Sequence, residues 1–293
     1  MQFRGVIPVL QTPFDEAEGL DCESLGRQVA FAAEAGADGI AFPGFASEWW
    51  RLSESEIEMA AETILAAAKN RIPVVFNITA QSTSLAVQAA RRFTAMGCQG
   101  LMCLPPFIAG ATGVEIQRHL AAVLNASDLP FMLQWSPSLA GGGLEWDDLA
   151  AIEQRFPHCN AIKVDFAPPG PTVGRLMNQF GERFTYLIGY AGLGLPEAMQ
   201  RGARGLMGGC GHLRQDISVF RSLEADRPEA ETQFRKLERL LNFEMQTIHT
   251  SIATHKWLLT QQGVITRETV REPGSGLTPE QVEQLKELRK ELS

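Results

Sequence analysis

Lys163 is the residue whose setting most clearly suggests chemistry. It is the only lysine between Lys69 and Lys236, and it lies within the apolar run at positions 160–164 (NAIKV). An ammonium group removed from water without a partner costs several kcal/mol. Because burial favours the neutral amine, a lysine in such a place can attack a ketone and form a Schiff base. The alternative explanation is a structural lysine paired with Asp165.

Composition excludes several other classes of protein. The chain has 293 residues, a net charge of -8 and no cluster of basic and aromatic residues, so nucleic-acid binding is not expected. No stretch approaches the length of an apolar membrane span, and the start lacks the pattern of a signal peptide. We therefore expect a cytoplasmic protein that acts on a small molecule.

The cysteines do not form a recognisable disulfide or metal pattern. They are odd in number and scattered, with no Cys-x-x-Cys pair and no matching histidine spacing: Cys22, Cys98, Cys103, Cys159 and Cys210. We interpret them as reduced and mostly buried thiols. The sequence thus predicts no metal site, and Schiff-base chemistry needs no cofactor because the imine itself accepts electrons.

A repeated phrase indicates how the chain is organised. Residues 36–40, 97–101 and 202–206 each follow an Ala-rich amphipathic segment and lead into an apolar run. In each, the first glycine is typical of a helix end and the second opens a strand. Together with the other apolar runs, at 6–10, 72–76, 129–133, 161–164 and 184–188, they predict eight strands alternating with helices, an α/β fold of the (β/α)₈ TIM-barrel type. A doubly wound open sheet is less compatible, since no Gly-x-Gly-x-x-Gly follows the first strand.

The pattern changes after the eighth strand. We expect the barrel to occupy residues 1–215 and a C-terminal helical extension, packed on the barrel, to occupy residues 216–293. Helical runs extend from about Asp216 to Thr260, and a last helix is expected to start at Thr278, followed by Pro279 in its first turn.

Active sites of such barrels lie at the C-terminal ends of the strands, and two segments there stand out. Lys163 falls late in the sixth strand, and Asp165 projects to the same side if the strand continues. The segment from Gly44 to Glu48 follows the second strand and precedes a helix expected near Ser53. Its backbone N–H groups could bind a substrate carboxylate, although the segment taken alone is better explained as an ordinary turn.

Together these segments resemble the dihydrodipicolinate synthase and N-acetylneuraminate lyase family. The opening 5–14 (GVIPVLQTPF) is similar to that family's first strand and its Thr-Pro-Phe turn. Residues 44–48 lie where the family carries Gly-Thr-Thr-Gly-Glu or Gly-Ser-Thr-Gly-Glu, and 160–163 lie where its strand ends in Ile-Lys. The closing segments 270–273 and 277–280 are similar too. The resemblance spans nearly the whole chain and implies a (β/α)₈ lyase that forms a Schiff base with pyruvate or another 2-keto acid.

The resemblance implies site residues one by one. Lys163 aligns with the Schiff-base lysine, while Gly44, Phe45, Ala46 and Ser47 align with the loop that holds the keto-acid carboxylate. The middle of that loop differs, since Phe45 and Ala46 replace the usual hydroxyl residues. Gln134 and Gly208 are further expected contacts of the substrate.

The family's tyrosines are missing from this chain, which is therefore expected to be a divergent member. The catalytic tyrosine of a Tyr-Asn-x-Pro segment falls on Gln134, and glutamine cannot shuttle protons. The tyrosine contributed across the family's subunit interface falls near Phe107. An imine mechanism still needs a proton donor and acceptor, so we predict Tyr190 and Glu48 as catalytic groups beside Lys163. Asp165 and His212 are the other candidates weighed.

The function is thus expected to be that of a class I aldolase-type lyase, and three alternatives for its exact activity are left open. Aromatic residues near the strand ends favour an aryl-pyruvate substrate of a hydratase-aldolase: Phe45, Trp49, Trp50, Phe107 and Trp135. A 2-keto-3-deoxy sugar acid, handled by a dehydratase, remains open because Asn77, Thr79 and Gln81 could bind hydroxyls. A protein that binds a 2-keto acid without turning it over is the alternative of another class. The resemblance suggests a homotetramer or dimer.

Overall fold

Eight parallel strands form one curled sheet in the computed structural model, which describes residues 2–108, 110–137 and 145–292. The strands are β1 (Gly5–Val6), β2 (Ile40–Phe42), β3 (Val74–Asn77), β4 (Gly100–Cys103), β5 (Phe131–Trp135), β6 (Cys159–Val164), β7 (Thr185–Ile188) and β8 (Gly205–Leu206). Each strand pairs with the next in the chain from β2 to β8, and β8 pairs with β1. A parallel bridge between Val9 and Ala41 links the two remaining edges. The predicted (β/α)₈ barrel is confirmed.

Helices separate the strands and continue beyond the last one. They are α1 (Cys22–Ala35), α2 (Glu54–Ala68), α3 (Thr83–Met96), α4 (Gly113–Leu124), α5 (Trp146–Arg155), α6 (Pro169–Phe180), α7 (Leu195–Gln200), α8 (Leu213–Glu224), α9 (Ala230–Glu244), α10 (Ile248–Gln261) and α11 (Pro279–Glu291). No helix in the described ranges is long and apolar enough to span a membrane.

Local sequence fixes several helix ends where they were expected. Ser53 caps α2, and Thr278 caps α11 with Pro279 in its first turn. Both caps are capping boxes, in which the cap hydroxyl and a side chain three residues on each bind the other's backbone N–H. Gly36 ends α1 in the left-handed conformation that glycine adopts without steric cost.

Prolines shorten or shift some strands relative to the apolar runs that predicted them. The first run was expected to pair from residue 6 to 10, but β1 ends at Val6, and Val9 joins its neighbours only through isolated bridges. Pro8 lies between them and has no N–H to donate. Likewise β3 and β5 begin directly after Pro73 and Pro130, each two residues later than expected, and they end one and two residues later than expected.

Two apolar layers surround the sheet. The larger one packs the outward side chains of the strands against the helices. A smaller cluster fills the barrel interior and includes Ile7, Val75, Met102, Met132 and Leu187. Because side chains alternate along a strand, each strand from β2 to β7 contributes to both layers. The interior cluster forms the floor on which the polar residues at the strand ends lie.

The C-terminal helices pack on the barrel at the end that carries the site. Contacts join α8 to α1, α9 to α8, and α10 to the short turn at Phe45–Ser47. The helix α8 crosses the expected boundary between residues 215 and 216. Arg271, in the connector before α11, donates to Glu56 of α2, so this segment is also tied to the barrel.

Candidate active site

Strand register places Lys163 beside Gln134 near the ends of β6 and β5. These two residues are direct partners across the strands, and Lys163 is also the partner of Leu187 in β7. Leu187 belongs to the barrel interior, so Lys163 and Gln134 project to the same inner side. The Lys163 side chain is only 8% exposed. The buried position predicted from the sequence is therefore confirmed.

Asp165 is the ionic partner of this lysine. Its Oδ2 lies 3.1 Å from Nζ of Lys163 and accepts a hydrogen bond of 2.5 Å from the Gln134 side-chain amide. Its Oδ1 accepts a bond of 2.8 Å from the backbone N–H of Tyr190. Burial opposes ionisation of Asp165, but Lys163 and the two N–H donors outweigh it and lower the pKa of the carboxyl. The site thus holds an ion pair with a fixed geometry.

The turn after β7 is shaped to admit that pair. A Cβ on Gly189 would lie 2.2 Å from Oδ1 of Asp165 and 2.7 Å from Cε of Lys163, so only glycine fits. Tyr190 and Ala191 follow with φ angles of 50° and 55°. Such left-handed conformations are uncommon outside glycine and often occur at functional sites. The turn aims the Tyr190 N–H at Asp165.

The loop after β2 contributes backbone and apolar surface. The hydroxyl of Ser47 donates to the Leu10 carbonyl and accepts from the Gly44 N–H, so it is used inside the loop. A Cβ on Gly44 would lie 2.7 Å from Val9, which explains the glycine. Phe45 and Ala46 line the cavity beside Lys163, whereas Gly44 and Ser47 do not.

Glu48 lies away from the cavity in a second buried ion pair. Its carboxylate contacts Arg51 and Lys256, each at 2.5 Å, and the Glu48 and Lys256 side chains are fully buried. Lys256 also donates to the Thr269 carbonyl, and burial lowers its pKa to about 8 in spite of Glu48. Glu48, which was expected to be catalytic, therefore links the β2 loop to α10. Among the described residues its carboxylate makes no contact with Lys163.

A cavity of about 510 Å³ opens above Lys163 and Asp165. Its walls are mostly apolar, and they include Phe45, Trp50, Phe107, Ile108, Met245 and Ile248. The ring centroids of Phe45 lie 6.4 Å from Phe107 and 6.0 Å from Trp50. Tyr190, Gly208 and Trp49 line it as well. Trp135 does not, because it packs on the outer side of the sheet against Trp146 and Phe166.

The polar residues at the end of β3 and in the loop after it form hydrogen bonds within the loops. Asn77 accepts from Thr79, and the Thr79 hydroxyl accepts from the Leu104 N–H. Gln81 accepts from the N–H groups of Phe107 and Ile108. These side chains shape the cavity wall from behind and do not line the cavity.

Four buried titratable side chains cluster where α8, α9 and α10 meet. His212 lies between Asp216 at 3.0 Å and Glu244 at 3.2 Å, and His255 lies 3.4 Å from Glu244. Burial opposes protonation of His212, but the two carboxylates raise its pKa well above the ordinary value. Burial lowers the pKa of His255 to about 4. His255 lines the cavity, whereas His212 does not.

The spacing of His212, Glu244 and His255 would suit a metal, since one ligand atom from each lies within 4.8 Å of the others. The hydrogen bonds favour protons instead. The Gly211 N–H donates to Nδ1 of His255, which puts the proton of the neutral ring on Nε2, the nitrogen that faces Glu244. The Nε2 atoms of His212, which is protonated, and of neutral His255 therefore both carry protons. The cluster is thus an ionic link between helices.

Comparison with known proteins shows to which family the chain belongs. A family model described as the dihydrodipicolinate synthetase family matches residues 2–292. The chain belongs to this family. Its members are lyases of the class I aldolase type.

Individual members of the dihydrodipicolinate synthetase family resemble the chain over most of its length. It is 27% identical to L-2-keto-3-deoxyarabonate dehydratase of Azospirillum brasilense, over 94% of this chain and 90% of that protein. It is 28% identical to 4-hydroxy-tetrahydrodipicolinate synthase of Persephonella marina, over 99% and 98%. The crystal structure of the chloride-inhibited dihydrodipicolinate synthase of Acinetobacter baumannii with pyruvate superimposes with a TM-score of 0.91, at 23% identity and 99% coverage of both chains.

The sequence did not lead us to expect that the C-terminal helices contribute side chains to the cavity above Lys163. Met245, Ile248, Ser251 and His255 all line the cavity. A signal was present, because α10 carries Ser251, Thr254, His255 and Lys256 in positions that are buried. Buried polar residues in a helix outside the barrel indicate that this helix meets other polar groups.

We predict that Gly189→Ala strains the ion pair measurably. The added methyl must displace Asp165 or Lys163, and such overpacking typically costs about 1 to 3 kcal/mol. Gly26→Ala in α1 is the matched control, because a Cβ there has no neighbour within 4 Å, and alanine in a helix stabilises by up to about 1 kcal/mol. Urea unfolding measures both. Equal free energies of unfolding for the two variants would contradict the close approach.

We also predict a pH dependence of stability that originates at His255. Its pKa of about 4 lies below the ordinary 6.5, so the unfolded chain binds a proton more readily. Stability is therefore lost as pH falls from about 6.5 toward 4, by about 3 kcal/mol. His212, whose pKa is raised in the folded protein, contributes with the opposite sign near pH 6.5, because only the unfolded chain releases its proton there. Comparison with a variant that lacks only His255 separates the two contributions.

The measurement compares the wild type with His255→Asn, whose side-chain carbonyl can still accept from Gly211. Free energies of unfolding at pH 7 and pH 4.5 should differ more in the wild type than in the variant. Parallel pH profiles for the two proteins would rule out His255 as the source.

Proposed function

We propose that the protein is a class I lyase that acts on pyruvate or a related 2-keto acid through a Schiff base on Lys163. The observation that carries the proposal is the position of this amine, buried in the lining of a mostly apolar cavity and 3.1 Å from a carboxylate. Attack on a ketone needs the neutral amine, and Asp165 can accept its proton. Family membership and the 2-keto acid named in the Azospirillum relative support the same chemistry.

The keto-acid carboxylate is expected at the turn after β2. The first N–H groups of a helical turn have no acceptor within the turn, and here they belong to Phe45 and Ala46. Both residues line the cavity near Lys163. The N–H groups of Ser47 and Glu48 are occupied by carbonyls of the same loop. Backbone donors therefore replace the hydroxyl residues that the family usually carries there.

The second half of the substrate is expected to be aryl or otherwise apolar. The part of the cavity beyond Lys163 is walled by Phe45, Trp50, Phe107 and Ile248. A polyhydroxylated chain would need several hydrogen-bonding partners there, but most of the side chains that line the cavity are apolar. The polar residues Asn77, Thr79 and Gln81 are used in loops. The cavity thus favours an aryl-pyruvate hydratase-aldolase over a dehydratase of 2-keto-3-deoxy sugar acids. The expected homotetramer or dimer and the cytoplasmic location stay predictions.

Trapping tests the Schiff base. Incubation with pyruvate and borohydride should add one reduced pyruvate to the wild type, located by peptide mass spectrometry at Lys163. Lys163→Met should show no adduct. Lys256 serves as an internal control in the same sample, because it is the other buried lysine described but its amine is held by Glu48 away from the cavity.

Each result separates the function classes. An adduct on Lys163 together with turnover of an aldol substrate supports the lyase. An adduct without turnover of any 2-keto acid aldol supports a binding protein. No adduct with pyruvate, 2-ketobutyrate or an aryl-pyruvate would remove the Schiff-base function altogether.

The aromatic wall predicts substrate preference. Trp50→Ala should raise the KM for an aryl-substituted aldol by up to about 10-fold, because an aromatic contact is worth about 0.5 to 1.5 kcal/mol beyond area burial. Pyruvate trapping should be little affected. Trp146→Ala is the matched control, since Trp146 packs against Trp135 outside the barrel. Steady-state kinetics provide the readout, and a preference for sugar-acid aldols in the wild type would contradict the aryl assignment.

A further inference from the structure

We infer that Asp165 is the proton-transfer residue of this site and that Gln134 positions it, in place of the family's missing tyrosine. The inference rests on the proposed function, since it concerns steps on either side of the Lys163 imine. It assigns the acid–base role to a residue that the sequence alone favoured as a structural partner of the lysine.

Geometry singles out Asp165 among the titratable side chains that line the cavity. Those described are Lys163, Asp165, Tyr190 and His255. A proton-transfer group must lie within hydrogen-bond reach of the reacting atoms. Oδ2 of Asp165 lies 3.1 Å from Nζ, the atom that becomes bonded to the substrate. The contact that ties Tyr190 to the lysine pair is made by its backbone N–H, which donates to Oδ1.

His255 and Glu48 are occupied elsewhere. His255 accepts at Nδ1 from the Gly211 N–H and faces Glu244 with Nε2. Glu48 pairs with Arg51 and Lys256. Neither side chain has a described contact with Lys163 or Asp165.

Gln134 occupies the position of the family's tyrosine but has a different role, which is to hold the carboxylate of Asp165 in place. It is the direct strand partner of Lys163, it is almost fully buried, and its amide donates to the same Oδ2 that contacts Nζ. An amide cannot exchange a proton at neutral pH, but it can hold a carboxylate in place and favour its ionised form. The proton carrier has moved from strand β5 to the residue after β6, while β5 retains the orienting group.

Proton transfers during imine formation balance on this one carboxylate. Asp165 takes a proton from the Lys163 ammonium, and the neutral amine bonds to C2 of the keto acid. Asp165 returns that proton to the ketone oxygen, giving a hydroxyl. It then takes a second proton from the nitrogen and delivers it to the hydroxyl, which leaves as water. The products are a protonated imine, one water and an ionised Asp165.

The same carboxylate serves the carbon chemistry. Asp165 removes a proton from C3 of the protonated imine, and the electron pair of the C–H bond forms the enamine. When C3 bonds to an aldehyde carbon, the protonated Asp165 gives its proton to the aldehyde oxygen, which becomes an alcohol. Cleavage is the reverse. Hydrolysis of the imine frees Lys163, and no other reactant is consumed.

Solvent exchange isolates the C3 step from the rest. The full-length protein is incubated with pyruvate in D₂O, and loss of the methyl proton signal is followed by ¹H NMR. Borohydride trapping of the same proteins, after equilibration, measures imine formation separately. Asp165→Asn should still give the Lys163 adduct but should exchange C3 protons at least about 100-fold more slowly, the usual loss on removing a general base.

Three further variants sharpen the assignment. Asp147→Asn, the same change at an exposed site in α5, should leave exchange unchanged. Asp165→Glu should restore part of the exchange that Asp165→Asn loses. Tyr190→Phe keeps the backbone N–H and should lose less exchange than Asp165→Asn. A larger loss in Tyr190→Phe, or exchange in Asp165→Asn within threefold of the wild type, would overturn the inference.

Gln134 acts through Asp165, so its test is a pH profile. Gln134→Met preserves the volume and removes the donor. The pKa of Asp165 then rises, and the acid limb of the exchange rate should move to higher pH. A uniform loss of rate with an unchanged limb would show a merely structural role. Failure of the wild type to form any adduct would refute the proposed function, whereas normal exchange in Asp165→Asn would refute only this inference.

Discussion

The ion pair between Lys163 and Asp165 is the interaction on which the rest of the site depends. A buried ammonium is tolerated only with a partner, and a buried carboxylate only with donors. Strand register places Gln134 beside the lysine, and Gly189 leaves room for both charges. The left-handed turn at Tyr190 supplies the last N–H. Each of these features accommodates or stabilises the same pair of charges at the C-terminal ends of the barrel strands.

A second set of buried charges attaches the helices that complete the cavity. Glu48 joins the β2 loop to Lys256 of α10, and the cluster around Glu244 joins α8, α9 and α10. Breaking a buried pair by removing one partner is costly, so these links hold the helices in a defined orientation. The C-terminal extension is therefore part of the site, because Met245, Ile248 and His255 form one side of the cavity.

Much of the fold and the central lysine could be predicted from the sequence, since both depend on local patterns. Alternating apolar runs and helix ends predict eight strands, and a lone lysine in an apolar run stands out by composition. The partner residues could not be assigned in the same way. Glu48 precedes its helix like a family residue, yet its role depends on Lys256, more than 200 positions away. Asp165 and Gln134 acquire their relation only through the pairing of β5 with β6.

The shape of the cavity likewise required the structure. Aromatic residues at strand ends were recognisable, but which side of the sheet each one faces depends on register. Phe45, Trp50 and Phe107 line the cavity, whereas Trp135 lies on the opposite side of β5 from Gln134. A shift of one residue along a strand moves a side chain from the cavity side of the sheet to the outer core.

A crystal structure of the protein soaked with pyruvate tests the central claim most directly. The account predicts continuous electron density from Nζ of Lys163 to C2 of the ligand, with Oδ2 of Asp165 within hydrogen-bond distance of the new bond and the carboxylate at the N–H groups of Phe45 and Ala46. Pyruvate bound without a covalent link, or linked to Lys256, would contradict it.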